Sequence, residues 1–454
     1  MLGRRSRACP VVYVRSADDC TTLCLMWSNW AGNQTMSPVA VERPASTDDV
    51  SRLVKQAAAD GRRVKAIGSG HSFTGIGLTD GVLLSLERMH KVLSVDRERR
   101  EVTVQAGLVL HELNRHLADL DLGLENMGDI DVQSVAGALS TGTHGTGRDS
   151  GALATQVVAL ELVLADGSVL TCSAEQNPEV FAVARVGLGA LGIVTCATLK
   201  VEPAFLLTAD ERPMLLADVL ADFEHHVAAN DHVEMYWFPH TDIALTKRNN
   251  RTAGPPAPLS RVRSIVDDEV LSNGVFDLTC RLGRAVPAVI PRLNRFTART
   301  MSARTYTDAA PQVFTATRRV RFYEMEYAIP RSEVVAVLGE LRTLPERLGL
   351  RIGFPVEVRV APADDVALST ASGRDSAYVA VHVYKGTDPT AYFNAVEALM
   401  GSVGGRPHWG KLHSLGAEQL RERYPRFEEF VAVRDRLDPE RQFTNAYLNR
   451  VLGV

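Results

Sequence analysis

A run rich in glycine and threonine is the part of the sequence whose composition points most directly to chemistry. Residues 137–147 hold four glycines, three threonines and one histidine. Such a run exposes backbone N–H groups and hydroxyls with little side-chain bulk, and successive inward-facing amides form a concavity that binds anions. Apolar residues such as Val132 and Val135 flank it and imply burial. The run is therefore predicted to hold a pyrophosphate or the polar edge of a ring system.

A second glycine-bearing turn, residues 68–72, reads Gly-Ser-Gly-His-Ser. It is not a dinucleotide-binding fingerprint, because Phe73 stands where the third glycine is needed. It is not a hydrolase nucleophile elbow either, since Thr74 replaces the required glycine. Taken alone, this segment is typical of a tight turn.

Charged residues near the C-terminal third form a third candidate site. Glu357 and Arg359 are two apart in a predicted strand, so both side chains point to one face of the sheet. Spacing alone favours an exposed ion pair of minor energetic value. His382 and Tyr384 alternate on another strand, and Lys411 follows His408 and Trp409 in a predicted loop. We expect no metal site, because no HExxH or comparable ligand cluster occurs.

Composition limits the class of protein. The chain has 454 residues with 45% hydrophobic and 23% charged residues, which is ordinary for a globular protein of two or three domains. The net charge of −4 excludes the basic field that a nucleic-acid partner needs. Six cysteines without a CxxC pair indicate a reducing compartment. We expect a cytoplasmic protein, free or peripheral at a membrane.

The elements that must position these residues follow from hydrophobic periodicity. The pattern predicts a helix from Thr47 to Gly61, strands over 63–67, 81–86, 91–95 and 101–106, and a helix over 110–120. A hairpin over 157–172 and a strand over 192–201 complete an α+β unit. Beyond Pro203, alternation over 323–327, 356–360 and 378–384 predicts an antiparallel sheet with one polar face.

Five ordered motifs resemble the vanillyl-alcohol-oxidase superfamily. They are residues 68–72, residues 133–147, Leu-Gly-Ala-Leu-Gly-Ile-Val at 188–194, Glu-Val-Arg at 357–359 and His-Trp-Gly-Lys at 408–411. The last two narrow the resemblance to sugar-1,4-lactone and alditol oxidoreductases, closest to bacterial L-gulono-1,4-lactone dehydrogenases and D-arabinono-1,4-lactone oxidases. The resemblance covers Trp27 to Val454.

The resemblance implies an α+β, two-domain PCMH-type FAD-binding fold with an antiparallel-sheet cap. The expected division is a disordered extension over 1–26, an FAD-binding domain over 27–203, a substrate (cap) domain over 204–411 and a C-terminal return over 412–454. The expected FAD-binding residues are Gly68, Ser69, Gly70, His71, Ser72, Ser134, Gly137, Thr141, Thr143, His144, Gly145, Ile193, Val194 and Asn445. His71 either carries a covalent bond to the flavin or only hydrogen-bonds to it.

The resemblance also assigns roles in a reaction. Glu357, Arg359 and Lys411 are the expected catalytic residues, and Gly128, Asp129, His382, His408 and Trp409 are expected in the substrate pocket. The implied reaction oxidises the C2 hydroxyl of an L-gulono-, L-galactono- or D-arabinono-1,4-lactone by hydride transfer to flavin N5, giving ascorbate or an analogue. Developing negative charge on oxygen would be stabilised by Arg359 and Lys411, and Glu357 or a deprotonated Lys411 would take the proton.

Three questions stay open in the sequence. The electron acceptor is either oxygen, to which glycine at position 128 suggests an open path, or a cytochrome or quinone. The substrate could instead be a linear polyol, as for an alditol oxidase. A catalytically silent flavin-binding module is the alternative from another class, and the Glu357, Arg359 and Lys411 set argues against it.

Overall fold

The computed structural model describes residues 12–15 and 23–454. The predicted extension 1–26 lies mainly outside these residues, and its described parts belong to the first two strands. The strands are β1 (Val12–Arg15), β2 (Leu23–Ser28), β3 (Thr35–Met36), β4 (Ala40–Glu42), β5 (Val64–Ile67), β6 (Val82–Ser85), β7 (Val92–Asp96), β8 (Glu101–Gln105), β9 (Leu122–Gly123), β10 (Val157–Val163), β11 (Val169–Ser173), β12 (Ile193–Lys200), β13 (Glu202–Pro203), β14 (Leu206–Leu215), β15 (His232–Trp237), β16 (Ile243–Thr252), β17 (Arg304–Ala309), β18 (Phe322–Pro330), β19 (Val356–Ala361), β20 (Ser376–Tyr384) and β21 (Arg406–Pro407).

The α-helices are α1 (Thr47–Ala59), α2 (Leu110–Ala118), α3 (Val135–Thr141), α4 (Pro178–Ala184), α5 (Leu216–Ala221), α6 (Phe223–Ala228), α7 (Arg261–Ser264), α8 (Phe276–Ala285), α9 (Ile290–Thr300), α10 (Ala310–Phe314), α11 (Val334–Arg347), α12 (Thr390–Ser402), α13 (Ala417–Arg423), α14 (Phe427–Leu437) and α15 (Ala446–Leu452). A π-helical stretch, Ile265–Val275, joins α7 to α8. Within the described chain, no helix combines the length and the apolar character needed to span a bilayer.

The N-terminal half contains two sheets whose strands largely follow the predicted pattern, together with the small sheets β1-β2-β3 and β13-β9. A parallel sheet has the order β4-β6-β5, and an antiparallel sheet has the order β11-β10-β12-β8-β7. The predicted hairpin is confirmed, because β10 pairs with β11 across the Asp166–Gly167 turn, where Gly167 adopts a φ of 74°. Helix α1 begins as predicted, with Ser46 accepting a hydrogen bond from the Asp49 N–H at 3.1 Å.

One eight-stranded antiparallel sheet dominates the second half, in the order β17-β14-β16-β15-β19-β20-β18-β21. The strands predicted over 323–327, 356–360 and 378–384 are confirmed as parts of β18, β19 and β20, and all three belong to this antiparallel sheet. Glu357 and Arg359 are only 3% and 4% exposed, because each packs against a side chain of the neighbouring strand β15. The ion pair, which spacing alone would favour as an exposed one, is thus buried.

The C-terminal segment runs back to the N-terminal half. Lys65 on β5 is buried, and its Nζ donates hydrogen bonds to the carbonyls of Gly189 and Phe443 at 2.9 and 3.0 Å. The Val64 N–H also donates to the Gln442 carbonyl. These contacts fix the end of the chain beneath the first glycine-bearing turn.

Candidate active site

The two glycine-bearing segments touch each other. Ser134 precedes α3, and its hydroxyl accepts a hydrogen bond from the Gly137 N–H at 3.2 Å. A side chain at Gly68 would collide with this Ser134 hydroxyl and would come within 3.8 Å of the Gly137 Cα. Glycine at position 68 is therefore required for the close approach of the two backbones.

Two adjoining cavities contain most of the expected site residues. The smaller, about 120 Å³, lies between the two glycine-bearing segments and residues 188–194, and the larger, about 1200 Å³, continues beneath the eight-stranded sheet. The larger is lined by Gly68, Ser69, His71, Ser72, Gly128, Asp129, Ser134, Thr141, Thr143, His144, Glu357, Arg359, His382, His408 and Lys411. Gly70, Gly137, Ile193 and Val194 line the smaller one.

Three expected site residues lie outside both linings. Trp409 is fully buried, stacks on Tyr424 and donates a hydrogen bond from its indole to the Leu368 carbonyl at 2.8 Å. Asn445 caps α15, and its amide donates to backbone carbonyls of residues 75, 76 and 78. Gly145 packs against the Met127 carbonyl. These three residues pack behind the residues that line the cavities and do not line them. Tyr384 likewise lies away from the cavity, donating to Asp277.

His71 lies on the cavity wall beside an aromatic ring that sequence reasoning missed. Trp30 stacks on it with ring centroids 5.4 Å apart, and the backbone N–H of Trp30 donates a hydrogen bond to the Gly70 carbonyl at 2.8 Å. Burial lowers the pKa of His71 to about 4. The imidazole is therefore neutral near pH 7 and keeps a nucleophilic lone pair.

Glu357 and Arg359 are held by the strand register. Glu357 lies opposite Tyr236 on β15 and accepts a hydrogen bond from its hydroxyl at 2.9 Å. Arg359 lies opposite Glu234 and contacts it at 3.1 Å, and it also pairs with Glu357 and with Asp129. Burial opposes its charge, but these carboxylates more than offset that penalty and raise the pKa of Arg359 further. The guanidinium is a fixed cation.

Lys411 reaches the same face from the loop after β21. Its Nζ lies 2.7 Å from both Glu324 and Glu326, two residues apart on β18. Burial disfavours the ammonium, yet the two carboxylates raise the pKa of Lys411 above its ordinary value. Lys411 is therefore a cation throughout the physiological range. The expected alternative, a deprotonated Lys411 acting as base, is wrong on this arrangement.

Histidines complete the charged face. His144 Nε2 lies 2.8 Å from Glu326, and its ring stacks on Tyr378 at 3.5 Å. His382 lies opposite Glu324 in the sheet, with Nε2 at 3.2 Å from that carboxylate. The Lys411 ammonium and His382 lower the pKa of Glu324 to about 2, against the opposing effect of burial. Burial lowers the pKa of His408 to about 3.

Sequence reasoning missed several members of this cluster. Glu324 and Glu326 carried a usable signal, because they alternate within the strand predicted over 323–327. Arg318 pairs with Asp129 and lies 4.0 Å from Glu357, although it follows α10 in an irregular segment. Tyr236 and Glu234 come from β15, a strand that was not predicted from the sequence. Three-dimensional pairing alone brings them to the site.

Two groups of side chains have ligand types that metals use. The ligand atoms of His144, Glu326 and His408 lie within 4.8 Å of one another, and the same holds for Glu324, Glu357 and His382. The Lys411 ammonium contacts a carboxylate of each group and supplies positive charge there. The side chains of the eight-stranded sheet that face the large cavity therefore form a network of ion pairs.

The cavities also fit a dinucleotide with a planar ring system. The smaller cavity is bounded by two backbone segments in which glycines take the place of side chains, as a phosphate-binding cradle needs. The larger is roomy enough for a ring system together with a substrate.

Comparisons with known proteins agree with this geometry. The model of an FAD binding domain matches residues 38–173. The structure superposes on cholesterol oxidase from Brevibacterium sterolicum with a TM-score of 0.79 at 18% identity, covering 94% of this chain and 96% of that chain. The protein thus has the vanillyl-alcohol-oxidase (PCMH-type) fold, with FAD as its cofactor.

Sequence similarity then defines the family. The D-arabinono-1,4-lactone oxidase family model matches residues 197–451, and the chain belongs to this family. It is 46% identical to the L-gulono-1,4-lactone dehydrogenase of Mycobacterium tuberculosis, over 94% of this chain and 99% of the relative. Identity is 34% to the L-gulonolactone oxidase of Bos taurus and 33% to the alditol oxidase of a Streptomyces species, each over 94% of this chain and 98% of the relative.

Proposed function

We propose that this enzyme oxidises the C2 hydroxyl of a sugar 1,4-lactone, of the L-gulono, L-galactono or D-arabinono type, to a 2-keto lactone. The product tautomerises to ascorbate or an analogue. The observation that carries the proposal is the buried cluster of Glu357, Arg359 and Lys411 on the cavity wall, held in a chain of the aldonolactone oxidase family. Relatives named for gulonolactone oxidation support the substrate class.

The charged face can perform the proton and charge part of this reaction. Arg359 and Lys411 are permanent cations that would stabilise negative charge on the substrate oxygen as its hydrogen leaves. Glu357 would accept the hydroxyl proton, since Tyr236 and Arg359 orient its carboxylate and it lines the cavity. Asp129 pairs with the same Arg359 nitrogen that Glu357 contacts and helps to fix the guanidinium.

FAD supplies the hydride acceptor when it is bound. Residues 68–72 and 134–145 would hold its pyrophosphate and ring edge through their backbone amides and hydroxyls. His71 would form the covalent link to the flavin, and its neutral, cavity-lining imidazole supports this role. Retention of the yellow chromophore on the protein pellet after acid precipitation tests the link.

The electron acceptor is proposed to be a cytochrome or quinone rather than oxygen. The relative that is 46% identical is named a dehydrogenase, whereas the relative that is 34% identical is named an oxidase. The higher identity to the dehydrogenase supports an acceptor other than oxygen. A methyl group at Gly128 would lie 3.1 Å from Thr143 Cγ2, so there is little room for a side chain at this position. Stopped-flow reoxidation of the reduced enzyme by air and by cytochrome c distinguishes the two acceptors.

A linear polyol is the second candidate substrate, because the chain is 33% identical to an alditol oxidase over nearly its whole length. Anaerobic mixing of the FAD enzyme with gulono-, galactono- and arabinono-lactones and with xylitol and sorbitol separates these candidates. Bleaching by lactones alone supports the proposal, and bleaching by polyols alone supports the second candidate. If neither class bleaches the flavin, the protein is a silent flavin-binding module.

We also propose a cytoplasmic location. Cys172, Cys196 and Cys280 are free thiols, as a reducing compartment favours. Fractionation of the producing cells, followed by immunodetection in the soluble, membrane and exported fractions, tests this placement.

A further inference from the structure

One line of charged side chains crosses five strands of the eight-stranded sheet. The register places Arg304 of β17 opposite Glu211 of β14, and Glu211 opposite Lys247 of β16. It then places Lys247 opposite Glu234 of β15, and Glu234 opposite Arg359 of β19. Because directly opposed residues project from the same face of a sheet, the five side chains form one line in which positive and negative charges alternate. We call this line the charge row.

The charge row faces the large cavity and continues the charged site described above. Every member except Glu234 lines that cavity. Glu234 bridges its two neighbours, because one carboxylate oxygen lies 2.6 Å from Lys247 Nζ and the other lies 3.1 Å from Arg359 Nε. A single buried carboxylate therefore links Lys247 to the guanidinium that the proposed reaction uses.

Lys247 and Glu211 form the middle of the charge row and are fixed by their neighbours. Their side chains are only 15% and 3% exposed. Glu211 accepts a hydrogen bond from the Tyr306 hydroxyl at 3.1 Å, and its other oxygen lies 2.7 Å from Arg304 Nε. An ammonium has three donors and a carboxylate has about four acceptor positions, so these contacts leave both groups with hydrogen-bonding capacity toward the cavity.

Alternating donors and acceptors suit a ligand that carries several hydroxyl groups. A hydroxyl both donates and accepts hydrogen bonds, so it can bridge a neighbouring ammonium and carboxylate. Each cation of the charge row already contacts a carboxylate of the same row, with Arg304 on Glu211 and Lys247 on Glu234. A phosphate or carboxylate ligand would therefore meet negative charge beside each cation. The row favours a neutral polyhydroxylated group instead.

The spacing along the charge row matches the size of a sugar lactone. Neighbouring strands lie about 4.8 Å apart, so the backbones of Lys247 and Arg359 are roughly 10 Å apart, and the shared Glu234 carboxylate brings their side-chain ends closer. We propose that Lys247 and Glu211 bind the exocyclic hydroxyls of a six-carbon aldonolactone whose C2 hydroxyl lies at Arg359. This inference rests on the proposed function, and it makes the two residues determinants of lactone chain length.

A series of lactones assayed with the full-length FAD enzyme tests the inference. D-threono-, D-arabinono- and L-galactono-1,4-lactone share the configuration at C2 and C3 and carry no, one and two exocyclic carbons. We expect Lys247→Met to lower kcat/KM about 10- to 100-fold for the galactono lactone, because a hydrogen bond from a charged donor is lost. The threono lactone has no exocyclic hydroxyl, so its kcat/KM should fall less than about threefold. Glu211→Gln keeps the shape of the side chain and should show the same order with smaller losses, and it decides if the Lys247 variant does not fold.

Arg248→Met is the matched control, because Arg248 is the next residue on β16, projects from the opposite face and pairs with Asp210 at 3.0 Å. It should leave the ratio of kcat/KM between the three lactones unchanged. An equal loss for all three lactones in the Lys247 and Glu211 variants would overturn the inference, since these residues would then act on Arg359 through Glu234. Unchanged kcat/KM values would also overturn it. If no lactone reduces the flavin of the wild type, the proposed function fails as well, so normal wild-type turnover identifies a failure of this inference alone.

Discussion

The two walls of the cavity are built in different ways. The N-terminal wall consists of backbone from short, contiguous, glycine-bearing segments, where Gly68 and Ser134 meet at close range. The opposite wall consists of charged side chains from strands of the eight-stranded sheet and from loops, among them Glu357, Arg359 and Lys411. On the proposed function, FAD would lie against the backbone wall, and the substrate would lie against the paired charges.

This difference predicts which substitutions separate binding of FAD from turnover. Changes in the backbone wall should remove the cofactor, and changes in the charged wall should leave the cofactor bound but slow the reaction. Three substitutions and one pH dependence test that separation.

Replacing Lys411 with methionine should have the largest effect on turnover. It removes a buried cation that, on the proposed mechanism, would stabilise the substrate oxygen, and it leaves Glu324 and Glu326 without their shared partner. We expect kcat to fall about 100- to 1000-fold while FAD stays bound. Steady-state assays with a dye acceptor measure this, and Lys91→Met, an exposed lysine in the FAD-binding half, is the control. Near-normal turnover of the Lys411 variant would refute its role.

Replacing Gly68 with alanine should act on the cofactor. The added methyl group meets the Ser134 hydroxyl, so Ser134 must shift from the position in which it accepts the hydrogen bond of the Gly137 N–H. Overpacking of this kind corresponds to about 10- to 100-fold weaker FAD binding. Gly339→Ala is a matched control, because no atom lies within 4 Å of the new methyl group. The measurement is the dissociation constant for FAD, made in a His71→Ala background to prevent covalent attachment. Equal affinities of the Gly68→Ala and Gly339→Ala variants would contradict the close packing.

The protonation state of His71 should affect attachment of the flavin at low pH. Its pKa is lowered to about 4 by burial, so the ring stays neutral as the pH falls through the ordinary histidine range and becomes protonated only near pH 4. The rate of covalent FAD incorporation into apoprotein should thus be nearly constant between about pH 7.5 and 5.5. A rate that declined with a midpoint near 6.5 would show an ordinary, solvated histidine.

Trp409→Phe should have the smallest effect on turnover. Its indole is in the core, and the substitution leaves the buried Leu368 carbonyl without its donor. We expect a loss of about 1–3 kcal/mol in the free energy of unfolding, with kcat and KM little changed. Urea unfolding and steady-state kinetics measured on the same protein check this. A large rise in KM would instead place Trp409 against the substrate.

The sequence was sufficient for the backbone wall and much of the fold. The hairpin β10–β11 and helix α1 could be predicted because periodicity, caps and turn residues act locally. The glycine-bearing segments could be recognised because the residues that mark each one are consecutive in the sequence. Their contact through Ser134 required the structure.

The charged wall was only partly predictable. Glu357 and Arg359 share a face because residues two apart in a strand always do, but their burial depends on what the sheet covers. The partners of Lys411 come from a strand some 85 residues away, and Arg318 has no local pattern at all. Long-range pairing also raised the pKa of Lys411 and removed it as a candidate base.

The central claim is that FAD bound between the two glycine-bearing segments faces the charged wall, where a lactone is oxidised. Anaerobic titration of the purified yellow protein with L-gulono-1,4-lactone, followed by its visible spectrum, tests it most directly. We expect stoichiometric bleaching of the flavin band in the wild type and much slower bleaching in Lys411→Met. Protein that stays colourless after FAD is added, or a flavin band that no lactone changes, would contradict the account.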